Sequence, residues 1–366
     1  MHILSLDPAT VTDADVADLH ALVAAVAAVD RPHDPVLPAA DLAARLRHPD
    51  RPDRRMVRLV ARTTAGLVGH ASIWMSLLDN PKMGLADIRV HPGQRRRGIG
   101  TALLRAVAAE MTADGRTILL GETDAGGPGD GFARAAGGRV VETDRLSLLR
   151  LTDVDWTAVE AAASAGHPGY RLVSTTGRTP DHLLESYARA KTAMNDAPHG
   201  ATDLEDFVFT ADRLRAEETG LLEVGELRVL FAVHEATGEI AGFTETGVGR
   251  QPERAQQQDT AVVPAHRGSG LGLWMKSAML LRLRAERPDV AEVITGNSTG
   301  NRHMLAINER LGFRPWQEIN GWQADVPDVV RRLDAGRERL DAGRERLDAG
   351  RERLDAGTGR ASAKSD

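Results

Sequence analysis

The stretch Gln258–Lys276 reads QDTAVVPAHRGSGLGLWMK and contains a β-branched run, a glycine-rich loop and an apolar run, in that order. The β-branched residues favour a strand, and the apolar residues after the glycines have helical spacing. Glycine permits a left-handed backbone and close approach to a ligand, and a helix start offers unpaired N–H groups and a positive dipole end. The stretch therefore predicts a strand–loop–helix unit suited to a phosphate or pyrophosphate.

The same pattern occurs earlier in the chain, where Ala86–Leu104 reads ADIRVHPGQRRRGIGTALL. Arg95 and Gly98 match Arg267 and Gly270 at one constant offset, which is about the length of a domain. The body of the chain therefore reads as a duplication. We expect domains at residues 1–150 and 165–330, joined by a link around 151–169.

Each repeat is surrounded by a similar series of predicted elements. In the second half, helical spacing predicts helices over Pro180–Met194 and Leu204–Leu222, with Thr179 as the cap before Pro180. Strands on either side of a glycine loop, with helices around them, predict a layered α+β or α/β domain in each half.

Residues 331–366 have a different character. LDAGRER occurs three times from Leu333 onward, followed by LDAG and a polar end. A coiled coil needs two apolar positions in each heptad. Each repeat has one Leu, and a glycine at the second position costs about 1 kcal/mol of helix propensity. We expect a frayed helix or a disordered tail, with a coiled coil as the alternative.

Composition excludes several classes of protein. The 366 residues include no cysteine, which rules out disulfides, thiolate zinc sites and a cysteine nucleophile. The net charge of −6 and the 4% aromatic content argue against nucleic-acid binding. The twelve histidines form no metal-ligand motif, so we expect no metal. No run suggests a membrane span or a signal peptide, and we expect a cytoplasmic protein without membrane partners.

Two common nucleotide-binding motifs do not fit the glycine loops. A dinucleotide loop needs a third glycine, and Leu103 and Met275 stand at those positions. A nucleoside-triphosphate loop needs Gly-Lys-Ser/Thr, which neither copy has. The loops therefore predict a different phosphate-bearing ligand.

The pattern V-x-P-x-x-R-x-x-G-x-G, followed by an apolar helix, resembles the acyl-CoA signature of the GNAT superfamily of N-acyltransferases. The second half also carries Asn297, Asn301, Asn308 and Leu311-Gly312-Phe313, which resemble the family's later helix. The resemblance covers Tyr170–Ala324 well. It is weaker over Met1–Leu151, where glycines at 126, 127 and 129 stand in place of the later helix.

The resemblance implies two tandem GNAT-like domains, each a mixed, mostly antiparallel sheet flanked by helices, with a degenerate first copy and a catalytic second copy. It also implies acetyl-CoA as co-substrate. The residues matching the family's cofactor positions are Val262, Val263, Arg267, Gly268, Ser269, Gly270, Leu271, Gly272 and Asn301 in the second half, and Val90, Arg95, Arg96, Arg97, Gly98, Ile99, Gly100 and Thr101 in the first.

The implied reaction is direct attack of an amine on the thioester, which needs a route for two protons. For the base, Glu245 lies on a strand expected to flank the cleft, and Asp259 is the second candidate. The family's acidic tyrosine is replaced by Asn308, which can donate a hydrogen bond but cannot supply a proton. Either water is the acid, or the thiolate is stabilised until it leaves.

The sequence thus predicts an N-acetyltransferase that acts on a primary amine. A CoA-binding regulatory or scaffold protein without transferase activity is the alternative. In the family that the chain resembles, the region with Asp196, Asp203, Glu205 and Asp206 lines the acceptor pocket, so the resemblance implies a small, cationic amine acceptor. Carboxylates that satisfy a helix dipole explain these residues at least as well. The oligomeric state stays open.

Overall fold

The computed structural model describes residues 1–47, 53–64 and 66–339. The α-helices and β-strands in the described part of the first half are β1 (His2–Ser5), α1 (Asp13–Asp30), α2 (Ala39–Arg47), β2 (Arg54–Thr63), β3 (Gly66–Ser76), β4 (Met83–Val90), α3 (Ile99–Ala113), β5 (Ile118–Asp124), α4 (Pro128–Ala135) and β6 (Arg139–Arg150).

The second half begins with an additional helix and then repeats much of this order. Its elements are α5 (Trp156–Ser164), β7 (Tyr170–Thr176), α6 (Asp181–Lys191), α7 (Ala211–Leu222), β8 (Gly225–His234), β9 (Ile240–Gly249), β10 (Arg254–Val262), α8 (Leu271–Glu286), β11 (Glu292–Ser298), α9 (Arg302–Arg310) and β12 (Arg314–Asp325). The predicted layered fold, with a strand–loop–helix unit in each half, is confirmed.

In the described residues, these strands form one twelve-stranded sheet in the order β1-β2-β3-β4-β5-β12-β6-β11-β10-β9-β8-β7. β4 with β5 and β10 with β11 are parallel pairs, and the other neighbours are antiparallel. The sheet is therefore mixed and mostly antiparallel, as expected. It is continuous through both halves, whereas the sequence predicted one sheet in each domain.

The two halves exchange their last strands at the middle of this sheet. β12, from the second half, pairs with β5 and β6 of the first half, and β6 pairs with β11 of the second. Leu149 on β6 accordingly lies in the second-half core, while Val326 and Val329, which follow β12, lie in the first-half core. Residue pattern predicts a strand and its buried face but does not name its partner, so the exchange was missed. The boundaries 1–150 and 165–330 stay a prediction.

The segment predicted to link the halves is packed rather than extended. Helix α5 lies against α8, with Val159 buried in the second-half core and Trp156 packed against it. Asp155 caps this helix by accepting from the N–H of Ala158 at 3.0 Å.

Two predicted helices begin later than expected. The second-half helix begins at Ala211 rather than Leu204, because the backbone before it is held by a first-half turn: Asn80 accepts from the N–H of Glu205 at 2.7 Å, and Asp79 accepts from Val208 at 3.2 Å. The helix expected from Pro180 begins at Asp181, with Pro180 as its N-cap, so Thr179 is not the capping residue.

The C-terminal prediction is tested only at its start. Residues 326–339 are helical, and Leu333 packs against the first-half core, so this part is more than a solvated appendage. The remainder of the predicted tail, residues 340–366, lies outside the described residues. Among the helices that the structure describes, none is both long and apolar enough to cross a membrane.

Candidate active site

Each glycine loop turns from a strand into a helix through left-handed backbone. Gly98 (φ +80°) and Gly270 (φ +74°) are the N-caps of α3 and α8. Two residues earlier, Arg96 (φ +62°) and Gly268 (φ +79°) also adopt positive φ values. This conformation strains a residue with a Cβ, which explains the glycines. Both helix starts present free N–H groups, as an anion site requires.

The second glycine of each loop lets a later helix approach. A Cβ on Gly100 would lie 3.4 Å from the Phe132 ring on α4, and one on Gly272 would lie 3.3 Å from Ile307 Cδ1 on α9. The first half therefore does contain the later helix that its glycine-rich sequence concealed. Pro128 begins α4, and the Asp130 carboxylate accepts from Gly126 N–H at 2.8 Å, which stabilises the start.

The first arginine of each loop braces the loop itself. Arg95 donates to both carboxylate oxygens of Asp30, at 2.9 and 2.5 Å, and its Nε donates to the Val90 carbonyl at 3.3 Å. Arg267 repeats this arrangement with Asp196 at 2.5 Å and the Val262 carbonyl at 3.0 Å.

The remaining loop positions differ between the halves. Arg96 and Arg97 are exposed and have no ion-pair partner among the described residues, while Gly268 and Ser269 take their places in the second loop. His167 lies beside that second loop, its Nδ1 2.9 Å from the Ser269 carbonyl oxygen. The first loop thus offers more free positive charge.

Beside each loop the parallel strands separate. Pairing of β4 with β5 ends at Leu85, and pairing of β10 with β11 ends at Gln256. Beyond these points, the backbone groups of residues 86–90 and 257–262 on that side are not paired to the parallel neighbour. A ligand with its own amide groups can bind such an edge. Both halves therefore fit the phosphate-plus-amide chemistry of CoA, with Val90, Val262 and Val263 at the strand ends and Ile99, Thr101 and Leu271 at the helix starts.

A β-bulge distinguishes the second half. The register of β9 and β10 shifts between Gln257 and Thr260, whereas β3 and β4 keep one register from Gly69/Val90 to Trp74/Leu85. The Gln257 side chain donates to the Glu245 carbonyl at 2.5 Å. The bulge places Asp259 beside Glu245, on the strand that borders the separated edge.

Glu245 is buried, with 4% of its surface exposed. Its Oε1 accepts a hydrogen bond from the Tyr187 hydroxyl and lies 2.6 Å from Lys191 Nζ. Burial raises the pKa of Glu245 well above its ordinary value of 4.5, and the nearby Asp259 carboxylate acts in the same direction. Glu245 is therefore a buried carboxylate rather than one exposed on the surface of its strand.

Asp259 is more accessible than Glu245. Its side chain is 40% exposed and lies 2.9 Å from the same Lys191 Nζ. Sequence reasoning missed Lys191 and Tyr187. The available signal was a lysine four residues after Tyr187 on the apolar face of α6, which also carries Leu183 and Leu184.

Two adjoining cavities, of about 320 and 340 Å³, open beside this cluster and share Lys191, Glu217 and Asp259. The first is also lined by Glu245, Glu218 and Arg54, which comes from the first half. The second is lined by Glu205, Asp206, Phe207 and Arg213 among others. Of the four acidic residues singled out from the sequence, Asp196 and Asp203 instead form ion pairs with Arg267 and Arg139.

Of the three asparagines predicted for the later helix, Asn297 lies on β11, and the other two are engaged in structural contacts. Asn301 caps α9 by accepting from the N–H of Met304 at 3.2 Å. Asn308 is 1% exposed and donates through Nδ2 to Asn297 Oδ1 at 2.7 Å. Its Oδ1 has no hydrogen-bond partner within the part of the chain that the structure describes.

The first half presents different side chains at the matching positions. Since Gly69 pairs with Val90 as Gly242 pairs with Val262, His70 corresponds to Phe243 and Ser72 to Glu245. His70 Nε2 lies 3.3 Å from Ser72 Oγ, and burial lowers the pKa of His70 to about 4. Residues 1–47, 53–64 and 66–339 contain no group of three or more histidines and carboxylates arranged to hold a metal.

Comparison with known proteins agrees with this geometry. Residues 25–127 match the family model described as the acetyltransferase (GNAT) family, in the half whose sequence pattern looked weaker. A mycothiol acetyltransferase of Salinispora tropica is 29% identical over 284 residues, covering 76% of this chain and 84% of the relative. One from Thermobispora bispora is 30% identical over 237 residues, covering 63% and 72%.

Solved structures give the same assignment. A tandem GNAT protein from the clavulanic acid biosynthesis pathway superposes with a TM-score of 0.75 at 26% identity, covering 89% of this chain and 98% of that one. A GCN5-related N-acetyltransferase from Sphaerobacter thermophilus has the same fold, with a TM-score of 0.62 at 15% identity, covering 88% and 96%. The predicted acetyl transfer from acetyl-CoA to an amine is confirmed, and the scaffold alternative is not favoured. The chain belongs to the GNAT acetyltransferase family.

Proposed function

We propose that the second half carries the catalytic centre and acetylates a small cationic amine in the cleft beside Glu245 and Asp259. One observation carries this proposal: the β10 bulge brings these two carboxylates together at a cavity next to the separated strands. The matching position in the first half holds Ser72, which is a much weaker base.

Acetyl-CoA supplies the thioester. In this proposal the N–H groups at the start of α8, from Ser269 to Gly272, hold its pyrophosphate, and the unpaired edge of β10 binds the pantetheine amides. Arg267 acts through the loop, because its guanidinium is already bonded to Asp196 and to the Val262 carbonyl. Asn301 contributes the cap of α9 rather than a free amide.

Glu245 removes a proton from the acceptor ammonium, directly or through water, and Asp259 helps to attract the cation. The amine lone pair then forms the N–C bond, while the C–S bond breaks and its electrons stay on sulfur. A backbone N–H of β10 is available to stabilise negative charge on the carbonyl oxygen. After attack the nitrogen still carries one proton more than an amide, and this proton passes through water to the departing thiolate, because Asn308 cannot supply one.

The charge of the cleft supports a cationic acceptor. Six carboxylates line the two cavities against three cationic side chains: Glu205, Asp206, Glu217, Glu218, Glu245 and Asp259, against Lys191, Arg54 and Arg213. Several curated relatives are named mycothiol acetyltransferases, so the unacetylated amine counterpart of mycothiol is the first acceptor to test.

The test is incubation of the full chain with acetyl-CoA and a panel of amines, with chromatographic separation of CoA and the acetylated amine as the readout. We expect turnover with the mycothiol-type amine or another small cationic amine, and little with neutral or anionic amines. CoA binding without turnover on any amine would instead revive the regulatory interpretation.

A further inference from the structure

The end of helix α6 carries a buried cation that the proposed reaction does not use. Lys191 is 5% exposed, and its Nζ lies 2.6 Å from Glu245 Oε1 and 2.9 Å from Asp259 Oδ2. The same ammonium lies 5.8 Å from the ring centre of Tyr187 and 5.5 Å from that of Phe243. Two carboxylates and two aromatic faces therefore hold it in one place.

A buried carboxylate needs such a partner to remain charged. Burial favours the neutral acid, and a second carboxylate nearby increases that preference, whereas an ammonium in contact favours the carboxylate. A protonated Glu245 could not accept a proton from the acceptor. Lys191 and Tyr187 both reach Oε1. The backbone N–H of Asp259 also donates to the Glu245 carboxylate and acts against the rise of its pKa.

The other charged groups facing this cluster have their own partners. On α7, Glu217 pairs with Arg213 at 3.0 Å, and Glu218 pairs with Arg215 at 2.7 Å. Arg54, at the start of β2, pairs with Asp53 at 3.1 Å. Among the described residues, Lys191 is the cation within ion-pair distance of Glu245.

We infer that Lys191 is a positioning residue that stabilises the ionised form of Glu245 against the effect of burial and fixes its Oε1, so that this carboxylate takes the proton from the acceptor amine. This inference rests on the proposed function, in which Glu245 is the base. Tyr187 assists by donating to the same oxygen. Lys191 itself exchanges no proton with the substrate.

The pH dependence of kcat/KM tests this role, because a merely structural lysine would not shift it. In Lys191→Met, we expect the acidic limb of the kcat/KM profile to move to higher pH by at least one unit. At a pH below this limb, kcat/KM should be about ten-fold lower than in the native chain, and the difference should disappear as the pH rises. Lys191→Arg keeps the charge and should keep the limb near its original pH. Arg189→Met removes an exposed cation of the same helix and should leave the profile unchanged.

The outcomes separate this inference from the function beneath it. If Glu245→Gln keeps full activity, Glu245 is not the general base, and that part of the proposed function is wrong. If Glu245→Gln is inactive but Lys191→Met keeps its acidic limb, the role of Lys191 is refuted. Should Lys191→Met not fold, the Lys191→Met/Glu245→Gln double variant decides: recovery of folding supports the pair, and no recovery overturns it.

Discussion

The two halves share a backbone frame and differ in one row of side chains. Both have the left-handed glycine at the helix start, the arginine-to-aspartate brace and the separated parallel strands. On β3, however, His70 stands at the position that Phe243 has on β9, and Ser72 at the position of Glu245. The shared features are features of the backbone, which many different sequences can form. The proposed proton transfer, in contrast, depends on a few individual side chains.

The exchanged strands give a reason for keeping both copies. Because β6 and β12 each complete the sheet of the other half, loss of the first copy would leave β11 and β12 without a shared neighbour. Unpaired strand edges are costly and prone to association. The first half therefore supports the sheet of the second whether or not it transfers acetyl groups.

The largest effect is expected at the glycine loops. Gly270→Asp adds a Cβ at φ +74° and a carboxylate at the phosphate site, so turnover should fall at least a hundred-fold. Gly98→Asp makes the same change at φ +80° in the first half and should leave turnover largely intact while lowering CoA stoichiometry. Turnover and calorimetric CoA binding are measured for both, with folding checked by circular dichroism. The reverse result would place catalysis in the first half.

Glu245→Gln is expected to have the next largest effect. Removing a general base typically lowers the rate 10²- to 10⁴-fold, and Gln keeps the size of the side chain. The matched variant Ser72→Ala changes the corresponding position of the first half and should lower kcat by less than about two-fold, since Ser72 lies outside the proposed catalytic half. Equal losses in both variants would argue that the halves act together.

The sequence predicts the fold around the glycine loops better than it predicts the side chains of the candidate active site. Glycine spacing and the strand–helix pattern are local signals, and they located both loops and the duplication. Strand exchange depends on contacts between distant segments such as β6 and β12, which local pattern does not encode. Glu245 was identified from its strand, but its environment was not, because Tyr187 and Lys191 reach it from a separate helix. The sequence did not predict the short helix α4, because its glycines have low helix propensity. Tertiary packing outweighs that low propensity in the folded chain.

A smaller effect is expected on stability at Lys276, on the buried face of α8. Burial lowers the pKa of Lys276 to about 7 from its ordinary 10.5, so between these values the unfolded chain binds more protons. Stability should therefore rise with pH across that window and be lowest below about pH 7. Lys276→Met should increase the free energy of unfolding by several kcal/mol at pH 6 and flatten this rise. Urea titrations at pH 6 and 9 measure it, with the exposed Lys82→Met as control.

The smallest effect is expected on the pH dependence of stability when His70 of the first half is replaced by phenylalanine, the residue at the matching position of the second half. Burial lowers the pKa of His70 to about 4 from its ordinary 6.5, so the unfolded chain binds more protons between these values. The native state should lose stability as the pH falls through that window, by about 2 kcal/mol between pH 7 and 5. His70→Phe, which introduces the residue found at Phe243, removes the titrating group at the loss of one 3.3 Å contact with Ser72. Urea unfolding at pH 7 and 5 should show a smaller drop in His70→Phe than in the native chain. The exposed His303→Gln should keep the full drop, and an equal drop in all three proteins would mean that other groups cause the acid sensitivity.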